Sequence, residues 1–259
     1  MADRKNALIT GASFGIGAEF ARIFAREGYN LVLVARTADK LRQLASELEK
    51  AHGTRSLILA ADLTDPGAPA YVLDQTKRAD IQVDVLVNNA GFGQYGLFVD
   101  NDLEECLRQI QLNVTTLTHL TRLYLPLMLE RQSGGVLNVA STAAFQPGPL
   151  MAVYFATKAY VLLFSEAIAN ELQGTGVTVT CLCPGATTTE FHKRAKATGM
   201  RLLKMGSMDA HTVAEDGYRA FVAGKPVVIS GFKNWLVAQS VRFSPRRLVT
   251  AIARKTQEE

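Results

Sequence analysis

The sequence predicts an α/β protein whose parallel sheet of about seven strands is doubly wound, with helices on both faces in three layers. Three observations carry this. Short runs of Val, Leu and Ile alternate with longer helical patterns from one end of the chain to the other. Those runs are nearly continuous in apolar residues, as suits strands buried on both faces of a parallel sheet. The chain has 259 residues, 48% hydrophobic and 20% charged, enough to bury one large core and too apolar for a disordered or collagen-like chain.

Strands are expected at residues 7–10, 31–34, 57–60, 83–87, 135–140, 177–182 and 227–229, with room for a helix between almost every pair. Gly28 ends the first helix. Asp65-Pro66 reads as an N-cap followed by proline at the first helical position, opening a helix toward Arg78. A long helix begins near Leu150 and ends at Gly174 and Gly176. No repeat or Pro/Ser-rich linker interrupts the pattern, so residues 1–259 are read as a single domain. Residues 186–210 break the alternation. They are rich in Thr, Lys and Met and follow the sixth strand at the carboxyl end of the sheet, where open α/β sheets bind ligands. The segment reads as a mobile substrate lid, the other reading being an ordered surface loop.

Composition narrows the function classes. Cys106, Cys181 and Cys183 are too few for a disulfide framework, and the last two lack zinc-ligand spacing, so all three read as reduced core thiols. His52, His119, His192 and His211 are scattered, and no metal site is expected. His192 and His211 flank the lid and read as surface residues or as substrate contacts. No run approaches the roughly 18–20 apolar residues of a membrane-crossing helix. The start runs directly into a strand with no room for a signal peptide, so the expected compartment is cytoplasmic. The net charge of +4 is unevenly placed: residues 1–190 carry 15 Lys and Arg against 19 Asp and Glu, residues 191–259 carry 13 against 5. This basic quarter, with Phe232, Trp235 and a short helix after Ser244-Pro245, reads as a contact for another subunit, a membrane surface, or an anionic substrate or carrier. An ordinary solvated surface is the remaining reading, and nucleic acid is not an expected partner.

The first strand runs into Thr10-Gly11-Ala12-Ser13-Phe14-Gly15-Ile16-Gly17 and then a helix. Glycines let the backbone turn tightly and approach a pyrophosphate, while the free N–H groups and dipole of the helix attract it. The spacing Gly-x-x-x-Gly-x-Gly resembles the cofactor loop of the short-chain dehydrogenase/reductase family, and the resemblance implies a Rossmann-type fold. Other landmarks follow in register. Asp62-Leu63 ends the third strand, where the family places an acidic residue against the adenine ring. Asn88-Asn89-Ala90-Gly91 closes the fourth strand, where the family lines the adenosine side. Pro184-Gly185 with Thr187 and Thr189 resembles the family's nicotinamide-side turn. The resemblance covers residues 7–190 and is loose in the C-terminal 70 residues.

Folds that prefer NAD commonly place a carboxylate at the end of the second strand, whereas an arginine there favours the 2′-phosphate of NADP. Here Leu31-Val32-Leu33-Val34 runs into Ala35-Arg36-Thr37, and Asp39 belongs to the next helix. Arg36, a planar cation matched to phosphate, predicts NADP(H).

Tyr154 and Lys158, four residues apart, share one helical face. A free phenol titrates near pH ~10, so proton transfer near neutrality needs a nearby cation to lower it. Ser141 ends the fifth strand 13 residues before Tyr154, and Asn113 lies in the helical stretch after the fourth strand. The resemblance implies their roles. Tyr154 exchanges a proton with the substrate oxygen, which Ser141 orients. Lys158 lowers the tyrosine pKa and holds the nicotinamide ribose, and Asn113 fixes a water that relays protons to Lys158. The expected activity is interconversion of a small-molecule carbonyl and alcohol by an NADP(H)-dependent oxidoreductase, as a homodimer or homotetramer. Met200, Leu202, Leu203, Met205 and Met208 hint at an apolar substrate or at lid packing. A non-catalytic NADP(H)-binding regulator would not need the intact Asn113, Ser141, Tyr154 and Lys158. A nucleotide-sugar epimerase or dehydratase usually has a longer C-terminal substrate domain and a different glycine spacing.

Overall fold

The structure, a computed structural model, describes residues 4–191, 195, 201 and 206–258. Among these, seven strands form one sheet: β1 (Asn6–Thr10), β2 (Asn30–Ala35), β3 (Ser56–Ala60), β4 (Val85–Asn88), β5 (Gly134–Val139), β6 (Val177–Cys183) and β7 (Val227–Ile229). The order is β3-β2-β1-β4-β5-β6-β7 and every neighbouring pair is parallel. The chain winds outward from β1 to β3, crosses to β4 on the other side of β1, and winds outward again. The carboxyl ends of β1 and β4 therefore flank the crevice where winding reverses.

The helices are α1 (Gly15–Arg26), α2 (Ala38–His52), α3 (Ala68–Arg78), α4 (Leu103–Ile110), α5 (Leu117–Glu130), α6 (Ala152–Glu171), α7 (Ala210–Val222), α8 (Phe232–Val241) and α9 (Arg246–Gln257). Successive strand residues point to opposite faces, and the two cores alternate accordingly. Ile9, Leu33, Val87 and Leu137 pack with Phe20 and Phe24 of α1, Leu41 of α2 and Val213 of α7. Leu8, Val32, Leu86 and Val136 pack with Val72 of α3 and with Tyr124 and Met128 of α5. Val161 and Leu162 of α6 cover Cys181 and Cys183, which are fully buried free thiols.

Several boundaries differ from the sequence expectation. The fourth strand begins at Val85, because Asp84 turns its carboxylate to the Asn6 N–H at 2.8 Å. Asp65 closes a local turn, accepting the Gly67 N–H at 2.8 Å, so α3 starts at Ala68 rather than at Pro66. α6 begins at Ala152, just after Leu150 takes a left-handed φ of +68°. With 20 residues, α6 is long and apolar enough to cross a membrane by length and composition, contrary to the sequence expectation; here it packs against the sheet.

Of the segment read as a lid, residues 192–194, 196–200 and 202–205 lie outside the described residues, and with them His192, Met200, Leu202, Leu203 and Met205. Its two ends are joined. The Met208 N–H donates to the Ala186 carbonyl and the Thr188 N–H to the Met208 carbonyl, both at 2.9 Å.

Candidate active site

The glycine loop is shaped by steric necessity. Gly11 and Gly15 hold φ values of +67° and +52°, a region costly for residues with a Cβ. A Cβ on Gly17 would fall on the Gly11 carbonyl and the Asn89 amide, so this glycine serves the close approach of α1 to β1. Phe14 at the N-cap of α1 supplies no side-chain cap, and the first turn holds no acid, which leaves its N–H donors suited to an anion. Thr10, the first residue of the loop motif, ties the loop to the turn after β4. Its hydroxyl donates to the Val87 carbonyl at 3.2 Å and accepts the N–H groups of Asn89 and Ala90 at 2.9 and 3.0 Å. Asn89 answers by donating to the Thr10 carbonyl at 2.8 Å.

Above this edge lies a cleft of about 1460 Å³. Of the residues expected to hold a cofactor, Gly11, Ser13, Phe14, Gly15, Ile16, Arg36, Asp62, Leu63, Asn89, Ala90, Gly91, Pro184, Gly185, Thr187 and Thr189 line it, as do Tyr154 and Lys158. Gly17 and Asn113 do not, and sit behind the wall. Thr189 closes over the loop: a Cβ on Gly15 would come within 2.7 Å of its Cγ2. A cradle that admits no Cβ at Gly11, Gly15 or Gly17, capped by a helix N-terminus, fits a dinucleotide pyrophosphate.

One end of the cleft brings Arg36 and Arg108 together with the carboxylates of Asp62 and Glu105. Arg36 lines it at the end of β2. Lys40 stands over the Phe14 ring at 3.8 Å, and Arg108 of α4 reaches Asp62 at 3.5 Å. Burial works to raise the Asp62 carboxyl, but hydrogen bonds from the Thr64 N–H and hydroxyl, with the Arg36 and Arg108 charges, hold it below its usual range. Arg108 carries no sequence signal of its own; only the fold brings it beside Asp62, which Arg36 also influences.

At the other end, Ser141, Tyr154 and Lys158 meet. Ser141 follows β5, accepts the Ala143 N–H at 3.1 Å and donates to the Pro184 carbonyl at 3.4 Å. Its hydroxyl also faces the Tyr154 phenol closely enough to favour the ionised form. Lys158, 6% exposed, donates to the Val139 carbonyl at 2.7 Å, with Nζ 5.7 Å from the centre of the Tyr154 ring. Burial pushes the Tyr154 phenol up to about 12, opposed by the facing Ser141 hydroxyl. Burial also pushes the Lys158 ammonium down to about 8. The direction for Tyr154 is opposite to the lowering expected from Lys158, because burial outweighs the one opposing contribution, that of Ser141.

Asn113 lies in a π-helical turn (Gln111–Thr116) between α4 and α5, a feature the helical pattern does not announce. Its Nδ2 donates to the Phe92 carbonyl at 2.9 Å and to the Thr157 hydroxyl at 3.1 Å, and its Oδ1 accepts the Phe92 N–H at 3.2 Å. A Cβ on Gly91 would meet this Oδ1 at 3.0 Å and the Lys158 Nζ at 3.5 Å, so both polar atoms face the same glycine. His211 stays outside the cleft, 55% exposed, with Nδ1 3.1 Å from Glu19.

Beyond Met208, which lines the cleft as part of the expected lid segment, the sequence reading assigns no substrate wall. Gln146, Met151, Phe155 and Phe191 line the cleft beside Tyr154, whose ring centre is 5.1 Å from that of Phe191. Phe232, Asn234 and Val237 of α8, with Ile252 and Gln257 of α9, complete the far wall. Tyr95 donates its hydroxyl to the Gln257 carbonyl at 3.0 Å and so anchors α9 there.

A doubly wound sheet with a glycine-shaped anion cradle and a Ser–Tyr–Lys group at its carboxyl edge defines a dinucleotide-binding α/β protein. The comparisons narrow this to one family. The family described as short chain dehydrogenase matches residues 5–199, and the chain belongs to it. Among curated proteins, a short chain dehydrogenase of Pseudocercospora fijiensis is 37% identical over 189 residues, 72% of this chain and 61% of that protein. The very-long-chain 3-oxoacyl-CoA reductase of Bos taurus is 34% identical over 197 residues, 74% of this chain and 62% of that protein. The chain thus spans about three fifths of the length of the curated relatives it matches. A solved short-chain dehydrogenase from Sphingobium yanoikuyae, in complex with NADPH, is 36% identical with a TM-score of 0.83, covering 92% of this chain and 94% of that one.

Proposed function

We propose that this protein interconverts a carbonyl and an alcohol with NADP(H), using Tyr154 as general acid and base. The observation that carries the reading is the convergence of Ser141, Tyr154 and Lys158 on the same cleft as the glycine loop. A bound nicotinamide supplies or takes up the hydride. In reduction Tyr154 gives its phenolic proton to the carbonyl oxygen, and the Ser141 hydroxyl holds that oxygen by a hydrogen bond. In oxidation the alcohol proton returns to Tyr154. Lys158 is the cation beside the phenolate left after proton donation, and it would hold the nicotinamide ribose. Asn113 fixes the backbone at Phe92 and the first turns of α6 through Thr157, and positions the proton path to Lys158.

NADP(H) is favoured over NAD(H) by the Arg36 cation on the cleft wall. The nearest acid in sequence, Asp39, is 91% exposed and paired with Arg42. The NADPH complex of the Sphingobium relative supports the same preference. Apolar walls built by Met151, Phe155, Phe191 and Phe232 support a bulky apolar ketone as substrate, a class that includes long-chain 3-oxoacyl groups. Exposed Leu103 and Leu107 of α4 and Leu163 of α6 support self-association through these helices. Parallel titration with NADPH and NADH, followed by nicotinamide fluorescence, tests the cofactor. An NADPH-consumption screen of ketones tests the reaction. Failure to bind either nucleotide overturns the reading, and tight binding without turnover of any ketone would favour a regulator.

A further inference from the structure

The C-terminal helices carry a surface that carbonyl chemistry does not explain. α8, α9 and the turn between them expose Phe232 at 72%, Trp235 at 45%, Phe243 at 89%, Leu248 at 52% and Ile252 at 54%. Between these apolar groups stand the exposed cations Lys233, Arg242, Arg246, Arg247 and Lys255. From Gly217 to Gln257 the sequence holds eight basic residues and no acid. Among the described residues, the ion pair in these two helices is Arg254 with Glu258, at 3.2 Å. Phe232 and Trp235 stack with ring centres 5.9 Å apart, which holds the indole at the surface.

We propose that this α8–α9 face docks on an anionic phospholipid surface, with the mouth of the cleft turned toward the lipid. Aromatic and aliphatic side chains interleaved with Lys and Arg are the pattern of a helix lying in a lipid interface, where rings enter the headgroup region and cations meet anionic headgroups. Two other occupants fit less well. A second copy meeting this face about a two-fold axis would set its cations against themselves. An acidic protein would satisfy the cations but would need apolar pockets for side chains as exposed as Phe243. The site also has a topological consequence. Phe232 and Ile252 are largely exposed and yet line the cleft, so the same side chains form part of the surface patch and the cleft rim. An apolar substrate could then pass between bilayer and cleft without crossing water.

The protein carries its own reporter, because Trp235 is its only tryptophan. The full chain is mixed at low salt with vesicles of phosphatidylcholine alone or of phosphatidylcholine with phosphatidylglycerol. Tryptophan emission and co-sedimentation are followed. A blue shift and co-sedimentation with the anionic vesicles only are expected. Arg246→Glu combined with Arg247→Glu should weaken that binding at least about tenfold, and Phe243→Ser should weaken it too. All three positions are exposed, so melting temperatures should stay at the wild-type value. The proposal is overturned by absence of vesicle binding, by equal binding to neutral and anionic vesicles, or by variants that bind as wild type. A vesicle-independent drop in oligomer size on Phe243→Ser, with no vesicle binding by the wild type, would identify the face as a contact between copies.

Discussion

Lys158 donates its Nζ proton to the carbonyl of Val139, the last residue of β5, at 2.7 Å. Ser141 follows that strand by two residues, and Tyr154 lies one turn before Lys158 on α6. One hydrogen bond therefore fixes the helix that presents the phenol against the strand that presents the hydroxyl. The three groups are set as a unit before substrate arrives, as a low-reorganisation site requires.

The same lysine makes stability depend on pH. Its folded pKa is held near 8 by burial, whereas the ordinary value is 10.5. Below pH 8 both states are protonated, and the folded state bears the cost of a buried ammonium. Between the two values the unfolded chain still binds a proton that the folded protein has released, so stability rises with pH. The full effect is roughly 3 kcal/mol. Thermal melts of wild type and Lys158→Met from pH 7 to 10 should show the wild type gaining on the variant above pH 8. Turnover should be lost in the variant at every pH.

Gly17→Ala should cost about 1–3 kcal/mol of stability, because its Cβ meets the Gly11 carbonyl and the Asn89 amide rather than a flexible side-chain end. Gly15→Ala adds a Cβ at a φ of +52° and presses on Thr189. It should lower nucleotide affinity more than it lowers the melting temperature. Differential scanning calorimetry with and without nucleotide separates the two effects.

Arg36→Ala should raise the dissociation constant for NADPH by roughly 10–100-fold, the worth of one charge-assisted phosphate contact. NADH binding should change by less than about threefold, since its ribose carries no phosphate there. Titration of both nucleotides against wild type and variant reads the ratio directly. An unchanged ratio would remove Arg36 as the selector.

Asn113→Ala breaks the bonds to Phe92 and Thr157 and should destabilise the protein by about 1–3 kcal/mol in urea. As a positioning residue, Asn113 should act mainly on kcat, with KM nearly unchanged. A proportional rise in KM would instead point to a collapsed cleft.

What the sequence discloses about this site follows from what is local. The loop from Gly11 to Gly17 is readable because its geometry depends on neighbouring residues and on a helix start. Arg36 is readable because a strand end fixes where the next side chain emerges. Other features depend on partners far along the chain. The π-helical turn at Asn113 is set by the Phe92 backbone and Thr157, neither of which lies near it in sequence. The charged corner needs α4 to bring Arg108 beside Asp62. The far wall needs α9 to return over Tyr95. Desolvation is also invisible in sequence, and it reverses the expected direction of the Tyr154 shift. Asp65-Pro66 fails for a smaller reason: a side-chain turn to Gly67 competes with the helix start it would otherwise cap.

The most direct measurement compares wild type and Tyr154→Phe in NADPH-dependent reduction of a bulky apolar ketone, with NADPH affinity determined on the same samples. Loss of the phenolic proton should lower kcat roughly 10²–10⁴-fold while NADPH binding stays at the wild-type value. Turnover by Tyr154→Phe equal to wild type would contradict the assignment of Tyr154 as the proton donor.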